Sequence, residues 1–290
     1  MQKKPGGRIL RLLLQSYTGC VGLFIVTAMV VFAVFAKQIA PFEPNAMNPL
    51  EMLKPPAFCE GGSMKHLLGT DNLGHDIFSR IVYGTRVSII IGVCSVLIAG
   101  FIGTAFGLVA GYFGGFADAV IMRVTDAFHA IPRTLLALVA VSVMSSGVTT
   151  LIIVIGVTGW ITYARVVRSE VLALKNREFV KAAITVGTPD WRIILDHILP
   201  NVLSSVIVVS TLAVATSIIA ESSLSFLGLG IQPPSISWGG MLSTGRSYIA
   251  TNWWVATMPG IALTVTVLGI MFLGNWLRDV MDPHHTGSGS

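Results

Sequence analysis

Acidic and basic residues are unevenly spaced along the chain, and the gaps between them set its outline. Residues 12–36 hold none in 25 positions, 87–117 none in 31, and 135–164 none in 30. Residues 197–220, 222–245 and 247–277 also lack Asp, Glu, Lys and Arg. A helix that crosses a bilayer needs about 20 mostly apolar residues, and most of these gaps reach that length. Residues 222–245 do not fit, because Pro233, Pro234 and many Gly and Ser mark a loop. The 135–164 gap divides at Ser145, Ser146 and Gly147, which suit a tight turn between two helices. The pattern predicts six spans, at 15–36, 87–113, 119–145, 148–167, 201–221 and 254–275, and so an all-α polytopic membrane protein.

The third span carries Arg123, Asp126 and Arg133. Its first turns are expected near the membrane surface, where long side chains reach the headgroups. Arg123 and Asp126 stand three apart on one helical face, a spacing that allows them to pair. Pro132 should kink the span, which a surrounding bundle tolerates.

Composition agrees with the gaps. Hydrophobic residues make up 53% of the 290 and charged residues 11%, against roughly 25% charged in a soluble domain. Mean hydropathy is +0.77. Disorder is excluded by the apolar content. Three cysteines, Cys20, Cys59 and Cys94, make no disulfide framework. The net charge of +5 comes with no basic cluster interleaved with aromatics, so no nucleic-acid partner is implied.

The charge instead orients the spans. Lys3, Lys4, Arg8 and Arg11 precede the first span, and Arg165, Arg168, Lys175, Arg177, Lys181 and Arg192 crowd the segment between the fourth and fifth. Arg278 follows the sixth. These lie on one side of the membrane, and the excess places both termini in the cytoplasm. The first span exceeds the 7–15 apolar residues of a signal peptide and reads as an anchor. The expected organisation is a cytoplasmic tail at 1–14, the first span at 15–36 and an extracytoplasmic loop at 37–86. A membrane domain of five helices, including the 166–200 segment, then covers 87–282, and residues 283–290 form a flexible tail of the kind appended for expression.

The largest cytoplasmic segment, 166–200, contains REFVKAAITVGTPDWRIILDHILPN at 177–201. It reads as a helix, a sharp turn and a second helix. Gly187 suits a helix C-terminal position at positive φ. Thr188 is expected as the next N-cap, Pro189 as the first helical residue and Asp190 as an acid in the first turn. Phe179, Ala182, Ala183 and Val186 share one face, with Phe179 and Trp191 as anchors. On these residues alone the segment suits equally a docking surface or a helix resting on the headgroups.

Lys181-Ala182-Ala183, Gly187 and Ile198-Leu199-Pro200 resemble the EAA loop of permease subunits in ATP-binding-cassette importers. Lys181 departs from a usual Glu, and His197 from a common Ile. LGTDNLGHDIFSRIVYGTRVS (68–88), GYFGGFADAVIMRVTD (111–126), ESSLSFLGLGIQPPSISWGGML (221–242) and NWLRDVMDP (275–283) extend the likeness in order along the chain. His75 there departs from a common Arg. Together they resemble the C-type permease of the dipeptide, oligopeptide and nickel subfamily. The resemblance implies a heterodimer with a second permease, two cytoplasmic ATPase subunits and an extracytoplasmic binding protein, in a bacterial inner membrane. It also implies that the coupling helix-turn-helix includes Glu178, Phe179, Lys181, Ala182, Ala183, Gly187, Thr188, Pro189, Asp190 and Trp191.

The chain carries no Walker A, H-E-x-x-H or G-x-S-x-G pattern. No catalytic or metal-binding residue is expected, and ATP and Mg²⁺ belong on the partner ATPases. Gly103, Gly107 and Gly111 repeat at G-x-x-x-G spacing and suit close helix packing. Glu221 and Trp238 are the candidates for a substrate path. Glu221 reads first as an interfacial residue held by neighbouring backbone or by Arg246, with a cationic group of a substrate as the alternative, and Trp238, Trp253 and Trp254 suit an aromatic belt. The expected cargo is a small peptide, with nickel, a metal chelate, glutathione or another small solute as alternatives. A different class, an ion-coupled secondary transporter, would use Arg123, Asp126 and Glu221.

Overall fold

The computed structural model describes residues 12–14 and 16–281. Lys3, Lys4, Arg8 and Arg11, used above for orientation, and the 283–290 tail lie outside the described residues. Five helices are long and apolar enough to cross a membrane: α1 (Tyr17–Val34), α3 (Ile77–Phe113), α6 (Val148–Lys175), α8 (Asp190–Phe226) and α10 (Trp254–Met281). Shorter helices are α2 (Ala36–Ile39), α4 (Gly115–His129), α5 (Arg133–Val143), α7 (Glu178–Thr185) and α9 (Trp238–Gly245).

The third expected span is not one kinked helix. It is the pair α4 and α5, bent by 84°, and it supplies the sixth crossing only if both halves count as one span. Pro132 explains the break. It has no N–H to continue the ladder and it disfavours helix at the residue before it. Pro132 itself takes an extended ψ of 125° before α5 begins. The expected Arg123–Asp126 pair is absent: Asp126 binds Arg165 of α6 at 2.8 Å instead. Asp118 is held by Arg168, also on α6, through two guanidinium nitrogens. These two pairs fix α4 against α6.

Several spans outrun their expected limits. α3 has 37 residues, about 55 Å at 1.5 Å per residue, well over a hydrocarbon core of about 30 Å. Its start moves from 87 to 77 because Asp76 caps it, accepting from Ser79 N at 2.8 Å and Ser79 Oγ at 2.7 Å. Ile77, Ile81 and Val82 then bury against the outer core. α3 packs along α6 over much of its length. The glycine stripe makes that approach possible. A Cβ at Gly103 would lie 2.3 Å from Trp160 O, one at Gly107 2.6 Å from Val167 Cβ, and one at Gly111 2.7 Å from Val171 Cβ.

The loop at 37–86 is a folded layer. Its chain doubles back through Leu53 N→Asp71 O and Thr70 N→Lys54 O, each 3.0 Å. His66 is buried between Asp76 (2.9 Å) and Glu51 (3.1 Å) and stacks on Phe42. Glu51 also takes Lys65 at 2.7 Å and Lys54 at 3.2 Å. Those neighbours, Lys65 foremost, hold the Glu51 carboxyl down at about 2. The segment at 222–253 and the start of α10 join this layer. Asn45 Nδ2 donates to Pro234 O at 2.9 Å, and the Trp254 indole to Thr70 O at 3.2 Å.

Candidate functional sites

The segment expected in the cytoplasm is built from α7, a tight turn and the start of α8. Glu178 lies in the first turn of α7, where a negative charge favours the helix dipole. α7 closes in a Schellman motif: Gly187 N donates to Ile184 O at 3.0 Å and Thr188 N to Ala183 O at 3.1 Å. Gly187 has φ +83°, the left-handed region that favours glycine. The next cap falls one residue later than expected. Pro189, with an extended ψ of 144°, accepts from Arg192 N at 2.9 Å and Ile193 N at 3.1 Å. Thr188 therefore lies in the turn.

A π-helical segment, Ile193–Ile198, joins this element to the rest of α8. Pro200 accounts for it. Its ring crowds the carbonyl of Asp196 and it offers no N–H, so the turn widens and Leu199 N reaches Ile194 O.

One side of α7 is sealed. Val180 is fully buried in a cluster with Leu108, Tyr112, Val167, Val171, Ile193, Ile198 and Val202. Ala183 turns partly toward this cluster, so it leaves the outward stripe on which the sequence placed it. The other side is open: Phe179 is 45% exposed, Trp191 59% and Val186 84%. Glu178, Lys181, Ala182, Gly187, Pro189 and Asp190 are exposed as well. Two helix ends, those of α3 and α6, meet at the element. The Tyr112 hydroxyl at the end of α3 donates to Asp190 Oδ1 at 2.6 Å. Lys175, ending α6, donates to Tyr112 O and lies over the Tyr112 ring. Sequence reasoning missed Tyr112 and Lys175. Tyr112 lies 78 positions from Asp190, and local spacing carries no signal of that pairing.

Glu221 and Trp238 lie on the outer side of the chain and are 0% and 1% exposed. Glu221 accepts from Ser225 Oγ at 2.7 Å and Ser222 Oγ at 3.2 Å. Arg246, the expected partner, stacks over Phe226 instead. The Trp238 indole donates to Ile81 O at 3.0 Å, against Gly84 of α3. Trp238 and Trp254 are thus core residues, and of the three expected belt tryptophans Trp253 alone is exposed. Arg123, Asp126 and Glu221 are not brought together as an ion site, because Asp126 is tied to Arg165 and Glu221 to serines.

Hollows open between the helices of the described residues, and two of them lie between α6 and α8. One of about 680 Å³ lies among α6, α8 and α10 and includes Glu170, Arg177, Ser205 and Arg278. The other, about 260 Å³, lies among α5, α6 and α8 beside the break at Pro132. Its walls are mainly Leu135, Leu138, Ile155, Ile219, Ala220 and Leu224, and Arg133 stands at its edge. No group of three or more His, Cys, Asp or Glu suited to a metal occurs among the described residues.

The family described as "Binding-protein-dependent transport system inner membrane component" matches residues 103–286. A second family, "N-terminal TM domain of oligopeptide transport permease C", matches residues 4–56. The chain is 40% identical to a glutathione transport system permease protein of Pectobacterium atrosepticum, over 94% of this chain and 89% of that protein. It is 38% identical to a di/tripeptide transport system permease protein of Pseudomonas aeruginosa, covering 90% and 86%. It is 39% identical to an oligopeptide transport system permease protein of Bacillus subtilis, covering 91% and 84%. In fold it is similar to a chain of the MetNI methionine ABC transporter in an inward-facing conformation. That match has a TM-score of 0.58 at 19% identity and covers 71% of this chain and 98% of the other.

Proposed function

Because this chain belongs to the family of binding-protein-dependent transport system inner membrane components, we propose that it is a permease subunit of an ATP-driven importer for small peptides. The observation that carries this reading is near-full-length similarity to peptide and glutathione permeases. Its partners are a related second permease, two cytoplasmic ATPase subunits that bind ATP and Mg²⁺, and an extracytoplasmic binding protein. The chain crosses the bacterial inner membrane with both termini in the cytoplasm, as its excess of Lys and Arg on that side supports.

Coupling falls to the cytoplasmic element. Phe179, Ala182, Val186 and Trp191 present a mixed apolar and small surface to the ATPase, and Glu178, Lys181 and Asp190 rim it. Ala183, Gly187, Thr188 and Pro189 hold the turn. When ATP closes the ATPases, their displacement reaches α7 first. The Tyr112–Asp190 bond and the shared apolar cluster pass it to α3, α6 and α8, and the path alternates between outward- and inward-facing states. Gly103, Gly107 and Gly111 keep α3 and α6 moving as one unit. Glu221 and Trp238 serve this path indirectly, by holding the outer ends of α8 and α3.

Placing Trp at Ala182, an exposed position, tests the coupling. Uptake by the complete transporter should fall by roughly tenfold or more, on the scale of one disrupted anchor, while the outer layer stays folded. Unchanged uptake and unchanged ATPase assembly would remove the coupling role from this element.

A further inference from the structure

Arg133 is the first residue of α5, at the 84° break within the α4–α5 pair. It borders a hollow of about 260 Å³ among α5, α6 and α8, close to the ~300 Å³ lower limit of small-ligand pockets. An ionisable side chain at membrane depth is costly, and it marks a pathway more often than a packing site.

Three features leave this guanidinium placed to meet a ligand. Among the described residues no carboxylate lies within 4 Å of it, whereas Arg165 and Arg168 both have one. Of its five N–H donors, one has a protein acceptor: Nη2 donates to Ile155 O at 3.1 Å. The absence of a side chain at Gly159 makes room for the head, since a Cβ there would lie 3.0 Å from Nη2.

The rest of the hollow complements the cation. Thr158, Thr216 and Ser223 line it, and each hydroxyl donates to a carbonyl of its own helix. Their oxygens therefore offer lone pairs inward and act as acceptors. A cation with free donors, beside acceptor oxygens and apolar walls, suits a molecule with a carboxylate, N–H groups and small apolar parts. A short peptide has all three, and a planar guanidinium binds a carboxylate through two parallel hydrogen bonds.

We propose that Arg133 and the hollow beside it form a contact point in the translocation path that receives the terminal carboxylate of the peptide. The inference rests on the peptide-importer reading and assigns it a residue.

The test uses the complete transporter in proteoliposomes, with its binding protein, and compares a dipeptide with its C-terminal amide. Arg133→Gln should lower uptake of the free acid by roughly tenfold to a hundredfold, the scale of a lost charge-assisted hydrogen bond. Uptake of the amide should change by about twofold or less, and Arg133→Lys should fall between, having the charge without the fork. Equal losses on acid and amide, or no loss on either, would overturn the assignment while leaving the importer reading intact. A wild-type complex that moves no dipeptide at all would sink the importer reading and this inference with it.

A second measurement does not depend on how the binding protein treats the amide. With Cys20, Cys59 and Cys94 changed to Ser, Arg133→Cys is exposed to a small water-soluble maleimide in the assembled transporter. Saturating dipeptide-loaded binding protein with ATP should slow labelling severalfold. Labelling that ignores the dipeptide, or a thiol that never reacts, would place Arg133 outside the path.

Discussion

The layer at 37–86 and the element formed by α7 and the start of α8 are both polar interruptions in an apolar chain, yet they are finished differently. The outer layer closes on itself. Its polar side chains, His66, Asp71, His75 and Asp76, are buried and bonded to one another or to helix caps. Two buried indoles bolt it to its neighbours, Trp238 of α9 donating to Ile81 O of α3 and Trp254 of α10 to Thr70 O. The element on α7 buries one side on Val180 and leaves Phe179, Val186 and Trp191 facing out. The difference lies in the buried polar groups, since Leu50, Phe58 and Met64 of the layer also face out. The layer's polar network holds its own shape, whereas the element on α7 has no such network, and exposed apolar side chains on either region suit contacts with other proteins.

The contrast can be broken most severely at Trp238. Trp238→Ala removes a buried side chain and its bond to Ile81 O, and should cost about 3–5 kcal/mol. Thermal unfolding in detergent should show the loss, with uptake falling only as folded protein is lost. The opposite pattern is expected at the end of α7. Gly187→Val forces a branched residue to φ +83°, a strain of about 1–3 kcal/mol, and displaces the exposed turn. Uptake should drop well beyond what the change in folded fraction explains.

Tyr112→Phe sharpens the comparison. It deletes the 2.6 Å bond to Asp190 and should cost about 1 kcal/mol, while loosening the ATPase from the spans. ATP hydrolysis should then continue with less uptake per ATP; tight coupling in this variant would argue against the clamp. The smallest effect belongs to Glu51, whose carboxyl is held at about 2 by Lys65, His66 and Lys54. A carboxyl lowered on folding adds stability that is complete above its unfolded value of about 4.3 and fades as pH falls toward 2. Glu51→Gln should therefore lower the stability of this layer by its full amount near pH 7, and the difference from the wild type should fade as pH falls toward 2.

Much of this was legible in the residues. The charge gaps placed five spans within a turn or so of at least one true end, and Gly187 announced its turn through its neighbours. The limits that slipped did so for identifiable reasons. α3 starts ten residues before its apolar run because Asp76 caps it and Ile77 and Ile81 find a core supplied by distant segments. The third span was misjudged as kinked because a proline pattern does not distinguish a bend from an 84° break. Arg246 was the nearest cation in sequence to Glu221, yet serines one and four residues on hold the carboxylate.

The sequence by itself determined that the chain is a membrane protein, roughly where it crosses, and that the long polar segment between the fourth and fifth expected spans is helical. Those properties follow from local periodicity and from the need to keep charges out of hydrocarbon. Only the tertiary structure decided which side of α7 is sealed, that Trp238 and Glu221 are buried, and that Arg133 has no carboxylate partner beside its hollow. Each of these depends on groups brought together from distant parts of the chain, and pairing in space leaves no mark on local spacing.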